Sequence, residues 1–276
     1  MTDATASMTL QPCPVVIGVN VDVETVDHAN AGQAGLFGRY SYGRYGVREG
    51  VWRMLDLYAE LGIPATFFCA PDDLRRHPGL TRALLDGGHE IAVRGTVQAK
   101  AGDAETLDAL ARDREALQAL TGSAPAGWRA LNGLVTEATL PALARAGYRY
   151  DSSFQDDDQP YVMQDGGDVL VELPVFDYLT DAPFFAQRHT HQRAAKAWTE
   201  EADAQYCAGG YVNFTLHTRG DVGSGRLPQM RLVADFLRIL QGRPGVGFYR
   251  AADLAVLWAQ ARPEREPYPR APAPQV

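Results

Sequence analysis

The chain lacks any closely spaced cysteine pair: its three cysteines are Cys13, Cys69 and Cys207, and none stands in a C-x-x-C spacing. That excludes a disulfide framework and a cysteine-built zinc site, and leaves three ordinary reduced thiols. Clustered positive charge is missing too. Lys and Arg total 26 against 34 Asp and Glu, a formal net charge of -8, and the basic residues are scattered. Nucleic acid and anionic membrane surfaces are therefore disfavoured as partners. No apolar run approaches the roughly 18 residues that mark a membrane-spanning helix. The opening segment MTDATASMTLQPCP has neither the basic nor the apolar region of a secretory signal, so a cytoplasmic location is expected. Internal repeats, glycine-rich phosphate loops and domain-length linkers are absent as well. What remains as a partner is a small molecule or a glycan.

What is present suits one sizeable core, since 46% of the 276 residues are hydrophobic. A single domain is expected over residues 14–262, between a flexible N-terminus (1–13) and a Pro-rich surface tail (263–276). Short apolar or β-branched runs read as buried strands at Pro14 to Val21, Ala65 to Cys69, Glu90 to Val93, Tyr148 to Tyr150, Val169 to Val175, Tyr211 to Leu216 and Val246 to Tyr249. Helical stripes lie between them, at Val51, Met54, Leu55, Tyr58 and Leu61, at Leu107, Leu110, Leu117 and Leu120, and at Met230, Val233, Leu237 and Leu240. Gly62, Gly122, Gly147 and Gly242 stand where C-terminal caps belong. Alternation of this kind predicts an α/β fold, a distorted (β/α) barrel of about seven parallel strands.

In such barrels chemistry gathers at the carboxyl ends of the strands. The residues there are Asp22 and Glu24, Arg94, Arg129, Asp151, Asp177 and His217. Asp22 and Glu24 share one side of a strand by its period of two, and two carboxylates facing one cavity need a cation, a shared proton or wide separation. Arg94 can neutralise them by bidentate hydrogen bonding. His217 is the best general acid or base among six histidines. His89 precedes its strand and should be structural at the opposite face, and the H-x-H at 189 and 191 is a weak metal signal. The long glycine-bearing loop from Asp27 to Gly46 lies close to the first acidic pair. Tyr40, Tyr42, Tyr45, Trp128, Phe154 and Tyr161 are candidate aromatic walls, or plain core.

The order of motifs from about Val15 to Trp258 resembles the polysaccharide deacetylase family (NodB homology, similar to carbohydrate esterase family 4), most nearly its branch of cyclic imidases and allantoinases. VNVDVET looks like its first motif, LLDGGHEIAVRG like the approach to the second, GWRALNG like the third and FTLHTRGDVGSGR like the last. YDSSFQDDDQPY and VELPVFDYLTD resemble segments of the substrate wall, bringing in Phe154, Tyr161 and Asp177. The resemblance implies that Asp22 is the base, that Arg129 orients it or binds substrate, and that the last motif supplies His217. It also implies a departure. Metal-dependent members carry H-x-x-x-H where this chain has Arg94 and Gln98, and Glu24 replaces the ligand Asp. Guanidinium cannot ligate zinc and carboxamide does so poorly, so no metal is expected, with zinc the weaker alternative.

Three functions stay open at this level. The first is metal-independent hydrolysis of a non-peptide C–N bond in a small amide, ureide or cyclic imide. Here Asp22 activates water, His217 serves the leaving nitrogen, and Arg94 and Arg129 bind developing charge. Substrate contacts are expected from Glu24, Gln98, Trp128, Tyr45, Phe154, Tyr161 and Asp177. The second is a non-hydrolytic proton-transfer enzyme of a biosynthetic pathway in the same pocket. The third is a catalytically silent binding protein. A homo-oligomer is compatible with all three.

Overall fold

The computed structural model describes residues 8–25, 27, 38, 41–96 and 104–270, with the side chains of 104–106 excepted. Strand and helix alternate along it. The first half runs β1 (Cys13–Val21), α1 (Tyr42–Tyr45), a π-helical turn over Gly46–Gly50, α2 (Val51–Leu61), β2 (Thr66–Cys69), α3 (Pro71–Arg76), α4 (Pro78–Asp86), β3 (Glu90–Arg94) and α5 (Ala104–Thr121). The second half runs β4 (Gly127–Arg129), α6 (Thr139–Ala146), β5 (Tyr150–Asp151), β6 (Tyr161–Asp165), β7 (Asp168–Glu172), α7 (Asp181–Ala186) and α8 (His191–Cys207). It ends with β8 (Val212–His217), α9 (Leu227–Gln241), β9 (Val246–Tyr249) and α10 (Ala251–Ala261).

The described strands form one nine-stranded sheet in the order β6-β7-β5-β4-β3-β2-β1-β8, with β9 also on β1. β1 is its axis. Its edge toward β2 is shared, Cys13–Val16 pairing with β9 and Gly18–Val21 with β2, while β8 takes the other edge over Val15–Asn20. These pairings are parallel; β6 and β7 form an antiparallel hairpin. The two strands that sequence patterning leaves out are β4, three residues long, and β6, whose outer end is exposed. Neither presents the apolar run by which a buried strand is read.

The result is a half-barrel rather than a closed one. After β7 the chain fills the opening beside β8: Asn213 Nδ2 donates to Pro174 O at 2.9 Å, and Thr180 bridges Thr215 in parallel. Alternation along each strand then sorts the side chains into two layers. Val15, Ile17, Val19 and Val21 face the helices with Phe67, Val93, Phe214 and Leu216. Val16, Phe68, Ala92, Tyr150 and Val171 fill the barrel interior. The helical stripe on α9 buries Met230, Val233, Leu237 and Leu240 as its periodicity predicts, and Gly62 and Gly147 adopt left-handed caps.

The amino end of the barrel is plugged by α10. Its first N–H groups are satisfied by Thr66 Oγ1 on Ala251 (2.8 Å) and Glu90 Oε2 on Ala252 (2.9 Å). His89 belongs to this end, accepting the Ala65 N–H at Nδ1 and packing on Tyr58 and Phe67, a structural role as expected. The segment after Pro263 differs from a free surface tail. Glu266 exchanges backbone hydrogen bonds with Val162 and Gln164, and Tyr268 is buried against the sheet.

Candidate active site

At the carboxyl end of β1 the inward row Gly18, Asn20 and Asp22 climbs toward a cavity of about 430 Å³. Arg94 closes β3, Arg129 closes β4 and His217 closes β8, all on the inward side, and all four groups line this cavity. The row begins with glycine for a steric reason. A Cβ at Gly18 would lie 2.9 Å from the Arg129 guanidinium.

Arg94 grips Asp22 with two bonds, Nε to Oδ1 at 2.8 Å and Nη2 to Oδ2 at 3.1 Å, and donates from Nη1 to Ala130 O. Both partners are buried. Burial alone would push the Asp22 pKa up; the Arg94 charge and hydrogen bonds, helped by His217 and Arg219, outweigh that and hold it below the usual carboxylate range. Asp22 is thus a paired carboxylate at neutral pH.

His217 stands 3.9 Å from Asp22, Nε2 to Oδ2. Behind it Asp181, fully buried at the start of α7, accepts from His217 Nδ1 at 2.7 Å and from the His217 backbone N–H at 2.9 Å. On its other side His217 Nε2 meets Asn20 Nδ2 at 3.0 Å. The Asn20 amide is oriented independently, because Arg129 Nη1 donates to its Oδ1 at 3.2 Å. With Nδ2 facing the ring, Nε2 must accept, and the Nδ1 proton belongs to the Asp181 bond. The network therefore assigns the Nδ1 proton to the Asp181 bond and leaves Nε2 accepting from Asn20 at the wall of the cavity.

Of the two roles expected for Arg129, orienting Asp22 or binding substrate, the first is not seen, while Arg129 does line the cavity. It donates to Ser152 O and Ser152 Oγ, each at 2.8 Å, and to Asn20, and its guanidinium lies 3.9 Å over the Phe68 ring. It forms the floor beneath His217. Burial, with the Arg94 charge, pushes its pKa down to about 10, so it stays cationic at neutral pH.

The expected substrate-binding residues divide. Asp177 lines the cavity and accepts from Gln155. Glu24 does not face it: β1 ends at Val21, the chain turns helical at Glu24, and its carboxylate meets His77 Nε2 at 3.0 Å. Trp128 points into the helix layer because it precedes Arg129 on a strand, and neighbours face opposite ways. Tyr45 lies outside the cavity between Arg53 and Arg226, whose guanidinium carbons sit 5.7 and 4.7 Å from its ring. Phe154 packs on the core and Tyr161 donates to Asp156, both away from the cavity. Gln98 lies outside the described residues.

Sequence reasoning missed Asn20, Asp181 and Arg219. Arg219 donates to the Asp22 carbonyl at 3.2 Å and pairs with Asp27 (2.7 Å) and Asp221 (2.9 Å). Asn20 could have been found by period two, since it precedes Asp22 on the same face. Asp181 follows a loop and carries no such signal.

A divalent metal, implied by the resemblance, does not fit the donors described here. The position beside Asp22 holds a guanidinium, which only donates, and Glu24 is engaged elsewhere. Among the described residues no three of His, Cys, Asp and Glu converge as a ligand set.

The family model for "Polysaccharide deacetylase" matches residues 41–150. A solved structure described as a polysaccharide deacetylase from Mycobacterium smegmatis superposes with a TM-score of 0.82 at 30% identity, covering 97% of this chain and 96% of that one. The structure of PuuE allantoinase superposes with a TM-score of 0.80 at 23% identity, covering 94% of each chain, which is a likeness of fold. The peptidoglycan deacetylase of Helicobacter pylori (strain ATCC 700392 / 26695) is 24% identical over 265 residues, covering 79% of this chain and 87% of that protein. No helix among the described residues is long and apolar enough to cross a membrane.

Proposed function

The chain belongs to the polysaccharide deacetylase family, and from that premise we propose that its pocket hydrolyses a non-peptide C–N bond in a small amide, ureide or cyclic imide without a metal. The observation that carries this reading is His217, oriented by Asp181 through Nδ1 and lining the cavity beside a carboxylate already paired with Arg94. A cavity of about 430 Å³ matches a small molecule.

Sequence alone points to Asp22 as the base. With both oxygens on Arg94 and its pKa lowered, Asp22 is the weaker base, and the role passes to His217. A bound water takes over the Nε2 lone pair from Asn20 and gives it a proton as its oxygen adds to the substrate carbonyl carbon. Asp181 and Asp22, one on each side of the ring, stabilise the imidazolium. The oxyanion faces the Arg94 N–H groups left free by Asp22 and Ala130. Nε2–H then protonates the nitrogen, the C–N bond breaks, and a carboxylic acid and an amine result, or one ring-opened product from an imide. Base catalysis of this kind contributes about 10²–10⁴-fold.

The test is a panel of small amides, ureides and cyclic imides followed by product analysis, with His217→Ala and Asp181→Asn as controls. Turnover that falls in both variants supports the reading. Tight binding without conversion in the unmodified protein would instead make it a binding protein.

A further inference from the structure

Beside the candidate site lies a second chamber of about 500 Å³ that the proposed chemistry does not use. The two cavities share Arg219, Asp221 and Val222 as a common wall. Arg219 is held there by Asp27, Asp221 and the Asp22 carbonyl, one guanidinium shared between two carboxylates. Two further guanidiniums, Arg188 and Arg226, line the far side with Tyr42 and Phe185. Neither has a carboxylate partner among the described residues. Arg226 donates from Nε to Gly220 O and lies over the Tyr45 ring, and its terminal nitrogens have no hydrogen bond among the described residues.

Arg188 adds an independent observation. It follows α7 in the left-handed region, at φ 57°, where it ends the helix as a glycine usually does. Its N–H bonds Phe185 O and the next N–H returns to Phe184 O, the pattern of a helix cap. A residue with a side chain is strained there, so a guanidinium at this position costs stability that glycine would spare. The same short helix begins with Asp181, which fixes His217, and so ties the two chambers together.

We infer that the second chamber is an anion subsite, and that the substrate is an amide-type compound with a carboxylate-bearing arm that crosses the Arg219 wall to Arg188 and Arg226. This inference rests on the C–N hydrolase reading for the reacting end, whereas the anion end stands on its own residues. Two guanidiniums at the mouth of a partly apolar chamber recognise a planar carboxylate by paired N–H bonds, where a neutral glycan would leave them unused.

The probes are adipamate (one amide, one carboxylate), adipamide (two amides) and adipate, titrated calorimetrically into the full chain and assayed for turnover. The unmodified protein should prefer adipamate to adipamide by about tenfold or more, the value of a charge-assisted hydrogen bond. Arg188→Gly and Arg226→Gln should each reduce that preference. Arg188→Gly should also raise the melting temperature, so a loss of binding there cannot be a loss of fold. Equal affinity for adipamate and adipamide, a preference that survives both substitutions together, or no binding of either carboxylated probe overturns the subsite. Adipamide turned over with no preference sinks the subsite and leaves C–N hydrolysis standing. Adipate binding that depends on Arg188 and Arg226, with no amide converted, upholds the subsite and sinks the hydrolase.

Discussion

The Arg94 guanidinium spans both oxygens of Asp22, at 2.8 and 3.1 Å, in a pair that is almost wholly removed from solvent. Removing one partner leaves a buried charge without compensation, so Arg94→Met should cost about 3–5 kcal/mol of stability. The double variant with Asp22→Asn should recover most of that loss. Urea unfolding of the four proteins in this cycle checks the coupling; independent, additive effects would mean the pair is not a unit.

The same pair sets behaviour in acid. The folded pKa of Asp22 lies below its unfolded value of about 3.9, so its contribution is full above that pH and is lost as pH falls through the folded pKa. Below about pH 4 the unmodified protein should therefore lose stability more steeply than Asp22→Asn. Parallel slopes in melting temperature against pH would contradict this.

The opposite sign holds behind the pocket, where Asp151 and Glu172 are both fully buried. Glu172 Oε1 accepts the N–H groups of Ser153 and Phe154, and Asp151 Oδ1 accepts from Ser153 Oγ. Burial, then the Asp151 charge, pushes Glu172 well above the carboxylate range, and burial raises Asp151 to about 6. A raised folded pKa stabilises fully below the unfolded value, about 4, and loses that contribution as pH rises through the folded one. Stability should therefore fall as pH rises from about 4 through about 6, where Asp151 titrates, and continue to fall above that through Glu172. Glu172→Gln, which keeps the acceptor and fixes a donor toward Asp151, should flatten that fall in thermal melts. An unchanged slope would rule out the pair as its source.

Gly18→Ala tests the floor of the site. The added methyl meets the Arg129 guanidinium at 2.9 Å and must displace it from Asn20 and Ser152. Overpacking of this kind costs about 1–3 kcal/mol. Since Asn20 sets the His217 tautomer, the histidine NMR shifts should change along with the melting temperature. A stability loss with unaltered His217 resonances would break the link between Arg129 and the imidazole.

Strand ends and a period of two are enough to place Asp22, Arg94 and His217 around one cavity from sequence, because buried parallel strands leave little freedom in which way a side chain points, whereas Arg129, on the short β4 that patterning leaves out, is reached through the motif resemblance. The same rule, applied to Trp128, would have sent it to the helix layer, where it is found. Glu24 escapes the rule because β1 stops before it. Asp181 escapes for another reason: its bond to His217 joins residues 36 apart through a loop and a short helix, and no local pattern encodes that contact. Tyr45, Phe154 and Tyr161 are legible from sequence only by residue type and motif order, and type does not say which face a ring occupies.

His217 and Asp181 should be needed for turnover to different degrees. His217→Ala removes the base and should lower kcat by about 10²–10⁴-fold, and Asp181→Asn should lower it less while shifting the pH profile, because it only orients the ring and stabilises its charged form. Stopped or steady-state assays across pH check this. An unchanged rate in His217→Ala would return the base role to Asp22.

The most direct measurement is hydrolysis by protein stripped with EDTA, its metal content verified by elemental analysis, in ¹⁸O-enriched water. Unchanged turnover with one solvent oxygen in the carboxyl product is the expected result, since Arg94 occupies the place beside Asp22. Activity that disappears on stripping and returns with stoichiometric zinc would overturn it.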